Sequence, residues 1–345
     1  MDLFVFSLLI VTKIVYGQTF IPSSKPTSAN SYLTPFENWI DQYKIQFHSE
    51  GHFYDVLKKW IVNEVYIKKI NNENRSYTLG HNQFSGMDEF DFIKYIMTNN
   101  DMFNRKFRSH SFISSNYSTS IPTSVNWLDT GYVTPVKDQG QCGSCWSFST
   151  TGALEGAYGI KYGKLISFSE QQLVDCDNLK NGGKDHGCNG GLMDNAFSWI
   201  HKNNGLCQEI DYPYVSGNGK SGTCQRTCSN VPNSKITSFV DVLEGDSYFM
   251  SALSKQPLSV AIEADQRDFQ LYKSGVFTGT CGTNLDHGVL AVGYGSDSGK
   301  DYYLVKNSWG ITWGENGYIK LGRGSEYNNG SGQCGILMEA SYPVL

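Results

Sequence analysis

All nine cysteines of this 345-residue chain fall after residue 140, at Cys142, Cys145, Cys176, Cys188, Cys207, Cys224, Cys228, Cys281 and Cys334. Cross-links confined to one stretch divide the chain into a cysteine-free N-terminal part and a stapled C-terminal part. A disulfide framework in an exported domain uses cysteines in pairs, so an odd total leaves one thiol over. That thiol is reactive, inert and buried, or paired with another chain, and parity does not choose among them. The 36 glycines and 21 tyrosines predict a turn-rich fold with substantial sheet. A net charge of −5, with no cluster of basic residues, gives no footing for nucleic-acid binding.

Residues 1–17 read as a secretory signal peptide, with an apolar stretch over 3–11 and small Gly17 at the cleavage point, although Asp2 stands where a basic residue is usual. The stretch is too short to span a bilayer as a helix, and no later segment is apolar enough. Two helical patterns follow. Phe36, Trp39, Ile40, Tyr43 and Phe47 form one, and Phe53, Val56, Leu57 and Trp60, continuing to Asn63, Ile67 and Asn71, form the other. Residues 109–124 are serine-rich and contain Ile121-Pro122, the composition of an exposed linker that a protease can cut. The boundary is therefore set near residue 120, with a segment over 18–120 preceding a domain over 121–345. Asn74, Asn116 and Asn329 open glycosylation sequons if the chain is exported.

The stretch Gln139-Gly140-Gln141-Cys142-Gly143-Ser144-Cys145-Trp146 precedes a helical pattern through Phe148, Leu154 and Tyr158. It resembles the active-site signature of the papain family of cysteine proteases, and the whole pattern is most similar to the cathepsin L-like branch. A thiol at a helix N-terminus beside an imidazolium has its pKa lowered and becomes a nucleophile. Read alone, Cys142 and Cys145 also form a Cys-x-x-Cys pair, as in a redox protein or half a zinc site. No second such pair, no cysteine/histidine cluster at zinc-finger spacing and no parallel βαβ pattern accompanies it. His287, in Leu285-Asp286-His287-Gly288 ahead of a strand-like run, is the candidate base, within the roughly 130 to 150 residues downstream expected of such a partner. Asn307, in Asn307-Ser308-Trp309-Gly310, lies somewhat farther on and is the candidate orienter of His287, with Trp309 as its shield. The resemblance makes Gln139 an oxyanion donor together with the Cys145 backbone N–H.

The same resemblance implies an α+β fold of two lobes. A mainly helical lobe around Cys145 and a β-barrel-like lobe, strand-rich over 257–321, enclose the cleft, and a helical inhibitory prosegment precedes them. Gly143, Gly190, Gly191, Asp286 and Trp309 would contact substrate. An S2 pocket of Leu192, Met193, Ala261, Leu285, Gly288 and Glu339 would prefer a bulky apolar P2 residue, with Glu339 admitting arginine. No long insertion follows Cys188 to Met193, so the endopeptidase reading is favoured over an exopeptidase with an occluding loop. The implied bridges are Cys142 with Cys188, Cys176 with Cys224 and Cys281 with Cys334. Cys207 and Cys228 remain for a fourth, with exchange between Cys224 and Cys228 open. In the prosegment, Trp60, Asn63, Ile67 and Asn71 fit the interrupted helical motif and Gly80-His81-Asn82-Gln83-Phe84 a second one. His52, Val56 and Gly86 stand where glutamate, arginine and aspartate are expected, so the motif's salt bridge and the usual acid trigger for release lack their residues. The expected partners are polypeptide substrates and the chain's own prosegment. No metal or organic cofactor is implied, the protein is expected to be a monomer, and its destination is lysosomal or extracellular. An inactive homologue serving as a binding protein is the main alternative.

Overall fold

The computed structural model describes residues 30–96 and 120–345. The proposed signal peptide, most of the serine-rich stretch and Asn116 lie outside the described residues. The N-terminal segment contains α1 (Asn30–Tyr43), α2 (Glu50–Asn71), β1 (Tyr77–Leu79) and α3 (Glu89–Ile96). Phe47 continues the helical spacing of α1, but the chain leaves the helix at Tyr43, where Lys44 turns left-handed (φ 55). Phe47 still packs edge-on against Phe53, at 5.0 Å between ring centroids. Ser49 caps α2 by accepting the His52 N–H. The apolar stripes of α1 and α2 meet in a small core of Phe36, Trp39, Ile40, Phe53, Val56, Leu57 and Trp60.

The C-terminal part contains β2 (Val125–Asn126), α4 (Cys145–Tyr162), α5 (Glu170–Cys176), α6 (Met193–Lys202), β3 (Ser238–Asp241), α7 (Asp246–Leu253), β4 (Leu258–Ile262), α8 (Arg267–Gln270), β5 (Tyr272–Phe277), β6 (His287–Asp297), β7 (Lys300–Lys306), β8 (Tyr318–Gly322) and β9 (Ala340–Val344). The sheet order is β1-β5-β8-β7-β6-β4-β9-β3, with β2 on β6, so the N-terminal segment adds its own strand to the edge of the sheet. β1 pairs antiparallel with β5, while β5 and β8 are parallel. One core lies around the sheet. A second lies among α4, α5 and α6, with Trp146, Leu154, Phe168, Phe197 and Ile200 at its centre.

α4 joins the two halves. Ser149 Oγ donates to Val289 O on β6 at 2.7 Å, and Ser259 Oγ on β4 donates to Ser149 O at 2.9 Å. A side chain at Gly152 would run into Leu290. This close approach sets the first turn of α4, which opens at Cys145, against Gly288, the residue after His287 on β6.

Candidate active site

Cys145 is the free cysteine among the described residues and opens α4. The other eight are bridged as Cys142–Cys188, Cys176–Cys224, Cys207–Cys228 and Cys281–Cys334. Backbone hydrogen bonds from Gly288 and Trp146 reach the Cys145 sulfur, yet burial pushes the thiol up to about 11. His287 is buried too, and burial pushes its imidazole down to about 4, against the opposing effect of Asn307. In this form of the chain both groups are therefore neutral.

His287 Nε2 lies 2.8 Å from Asn307 Oδ1. That oxygen also accepts the Ser308 backbone N–H at 2.8 Å, which identifies it as the acceptor end of the amide. Nε2 must then carry the hydrogen, leaving Nδ1 as the basic nitrogen. The Trp309 indole stacks on His287 with centroids 4.7 Å apart and is itself buried, so it excludes water from the His287–Asn307 hydrogen bond.

Gln139 is buried in the loop before α4. Its Nε2 donates to Cys142 O at 3.0 Å and its Oε1 accepts from Ser308 Oγ at 2.6 Å, leaving one amide hydrogen uncommitted. Ser308 thus holds the amides of Gln139 and Asn307 together. Sequence reasoning passed over Ser308, whose only signal is its place after Asn307. Lys137 anchors the same loop through Glu155 on α4 (3.0 Å) and Glu170 on α5 (2.5 Å). Removal of one oxyanion donor typically costs about 10²- to 10³-fold in kcat. Gln139→Ala is expected to lose that much with KM little changed, as measured by steady-state hydrolysis of a fluorogenic peptide.

The extended segment leading to α6 is bridged to Gly143 through Asn189. Gly143 N–H donates to Cys188 O at 3.0 Å, and a Cβ on Gly191 would stand 2.4 Å from the Trp146 indole, so only glycine fits there. A pocket beside this segment is lined by Leu192, Met193, Asp194, Asp241, Ala261, Glu339, Ala340 and Ser341. Leu285 and Gly288 lie close by: Leu285 shares a core cluster with Met193 and Ala261, and a Cβ on Gly288 would stand 3.3 Å from the Met193 sulfur. Asp194 and Asp241 join the lining and make the pocket acidic. Burial, reinforced by Asp194, Asp241 and Glu244, pushes Glu339 up to about 7. The Asp286 side chain is buried and accepts the Ala264 N–H at 2.8 Å.

The N-terminal segment docks on the opposite side of His287. Phe84 and Phe92 contact the Trp309 ring edge-on at 5.3 and 5.7 Å. Gln83 Nε2 donates to Trp309 O at 2.6 Å, and Tyr95 OH donates to Gly140 O at 2.6 Å, next to Gln139. Asn82 Nδ2 donates to Gln270 O, and Gln270 Nε2 donates back to Phe84 O. Tyr66, Arg75 and Tyr77 converge on Asp268. The departures at Val56 and Gly86 face one another: a Cβ at Gly86 would stand 2.7 Å from the Val56 side chain and 2.9 Å from Trp39, so aspartate has no room. Lys59 instead links α2 to Asp88 and Asp91.

Residues 121–344 match the sequence profile of the papain family of cysteine proteases. The chain belongs to this family. A probable cysteine protease of Arabidopsis thaliana is 48% identical over 280 residues, covering 81% of this chain. This chain spans only 58% of that relative's length. A KDEL-tailed cysteine endopeptidase of the same plant is 46% identical over 289 residues, covering 82% of this chain and 78% of the relative. Among solved structures, a ragweed pollen cysteine protease in its proform aligns with a TM-score of 0.81 at 36% identity, covering 92% of this chain and 93% of the other. The papain-family fold and the docked N-terminal segment of a proform both accord with the arrangement seen here. Among the described residues no histidine, cysteine or carboxylate cluster could hold a metal ion, and no helix is long and apolar enough to cross a membrane.

Proposed function

We propose that this chain is the zymogen of a cysteine endopeptidase in which Cys145 is the nucleophile, His287 the general base and acid, Asn307 the orienter and Gln139 an oxyanion donor. The observation that carries the reading is the fixed tautomer of His287. With Nε2–H committed to Asn307, Nδ1 is free to take the proton of the Cys145 thiol. The thiolate attacks the scissile carbonyl, the oxyanion takes hydrogen bonds from the Cys145 N–H and the Gln139 amide, and the imidazolium protonates the leaving amine. Water then hydrolyses the thioester, with His287 removing its proton, and Cys145 is regenerated.

The N-terminal segment, residues 18–120, is the prosegment. Its contacts with Trp309 and Gly140 cover ground that substrate would use, and its removal admits water to Cys145 and His287, allowing the thiolate–imidazolium pair to form. The mature enzyme begins near residue 121. Gly190 and Gly191 pair with the extended substrate backbone, and the missing Cβ of Gly191 lets this segment lie directly on the Trp146 indole. The signal-like N-terminus, the four disulfides and the KDEL-tailed relative support passage through the secretory pathway to a lysosome-like compartment or out of the cell. Asn74 and Asn329 are exposed and open to glycosylation there.

Specificity follows from the acidic pocket. Below about pH 7 Glu339 is protonated and an apolar P2 side chain is preferred, whereas above it the ionised carboxylate pairs with arginine. The ratio of kcat/KM for Arg over Phe at P2 is expected to rise about tenfold between pH 5.5 and 8. Glu339→Gln should flatten that rise, and a ratio indifferent to both pH and the substitution would remove Glu339 from the pocket's role. The nucleophile is tested on protein whose N-terminal segment has been removed by proteolysis, with an irreversible epoxide inhibitor whose adduct should map to Cys145 alone.

A further inference from the structure

The ends of α5 and α6 and the loop over 224–230 enclose a cavity of about 480 Å³, a size that holds a small ligand. The proteolytic reaction does not use it. Its lining carries two cations, Lys202 and Arg226, and no carboxylate, on a chain of net charge −5. Both cations are exposed. Asp177 is the carboxylate whose field reaches Lys202, but it is buried and accepts the Lys184 N–H at 3.1 Å. Arg226 stands in Cys224-Gln225-Arg226-Thr227-Cys228, and both ends of that stretch are bridged, Cys224 to Cys176 on α5 and Cys228 to Cys207. The loop that carries the guanidinium is therefore fixed before any ligand arrives.

Carboxamides supply most of the remaining polar lining, and the protein has already claimed one end of each. Asn181 Nδ2 donates to Asn178 Oδ1 at 3.1 Å, Asn203 Nδ2 to Gly205 O at 2.9 Å and Asn230 Nδ2 to Asn203 O at 2.7 Å. Their side-chain oxygens are left as acceptors. The sulfur 3.6 Å from Asn230 Oδ1 belongs to bridged Cys207 and has no hydrogen to give. Gln172 is held the other way round, with Oε1 accepting the Cys207 N–H at 2.8 Å and Nε2 left to donate. The cavity thus asks for negative charge and, beside it, for several hydrogen-bond donors. Phosphate and sulfate bring only acceptors and would set them against three carbonyl oxygens. An acidic peptide brings one backbone N–H for each side-chain carboxylate, whereas a linked uronic acid brings two hydroxyls. We propose that this cavity binds an acidic oligosaccharide, its uronate carboxylates paired with Lys202 and Arg226 and its hydroxyls donating to Asn181, Asn203 and Asn230. α6 runs from Met193 at the S2 pocket to Lys202 here, roughly 15 Å of helix, so a bound sugar leaves the cleft open.

Calorimetric titration of the full chain, carrying Cys145→Ala so that it stays intact, tests this with a galacturonate trimer at low salt. One trimer should bind per chain, and more weakly as salt is added. Arg226→Gln and Lys202→Gln should each weaken binding about tenfold. Both side chains are exposed, so the variants should melt as the parent does. A galactose trimer, which keeps the ring hydroxyls and lacks the carboxylates, should bind at least about tenfold more weakly, as should inorganic phosphate and triglutamate. Absence of binding by the galacturonate trimer, or undiminished binding in both glutamine variants, would overturn the site. Phosphate or triglutamate binding as tightly as the trimer would overturn the sugar. In enzyme freed of its N-terminal segment, saturating trimer should leave kcat/KM for a fluorogenic peptide within about twofold, and competitive inhibition would place the sugar in the cleft instead. Binding is read without catalysis, so its failure would leave the protease assignment untouched.

Discussion

Cys145→Ala is expected to give a chain that folds, keeps its N-terminal segment docked and hydrolyses no peptide above background, a loss on the order of 10⁴- to 10⁶-fold. Cys145 is the unbridged thiol of the described residues, and it opens α4, where unpaired backbone N–H groups and the helix dipole favour a negative sulfur. Nothing else in the site can replace it. Ser144 beside it is committed to Tyr214 at 2.8 Å, and Ser308 to Gln139. Removing one sulfur from a buried position should shift Tm by only a few degrees, on the order of 1 kcal/mol. Hydrolysis of a fluorogenic peptide measures the first outcome and thermal melting the second. Hydrolysis that survives the substitution would sink the assignment.

His287→Ala should cost nearly as much, on the order of 10⁴-fold or more, and adding it to Cys145→Ala should cost nothing further, because the two residues act as a unit. The more telling measurement is the rate at which iodoacetamide alkylates Cys145 as a function of pH. In the activated enzyme an imidazolium beside the sulfur stabilises the thiolate, so alkylation should remain fast well into acid. Without His287 the profile should move up toward that of an ordinary thiol, about 8.5. The precursor should be slower than either, since burial holds its thiol up at about 11. A profile unchanged by His287→Ala would mean that another group is the base.

Much of this protein was legible before its structure, though unevenly. The helix over Cys145–Tyr162 and the strand-rich stretch after residue 257 were read from periodicity, which reports the environment of neighbouring residues. The two N-terminal helices were readable in the same way. Phe47 misled because an aromatic can keep helical spacing and rejoin the core after the helix has ended. Cysteine parity marked only a spare thiol, and the motif around Cys145 selected which one.

The S2 pocket shows where such reading stops. Asp194 on α6 and Asp241 on β3 join the lining beside Met193 and Ala261, and nothing local to either announces that they share a wall with Glu339. Their mutual repulsion and burial, not their identity, bring Glu339 near neutrality. Ser308 likewise gains its role only because the loop before α4 packs on the end of β7.

The sequence by itself determined the chemical types and the local backbone that presents them: a thiol at the start of a helix, a histidine at the start of a strand, an asparagine at the end of another. Those are short-range properties, set by patterns a few residues long. Tertiary packing alone decided which hydrogen His287 carries, that Val56 meets Gly86, and that Ser308 ties the amides of Gln139 and Asn307 together. Protonation and fit depend on what each group loses when water is removed and on which neighbours replace it, and those neighbours are brought together only when the chain closes on itself.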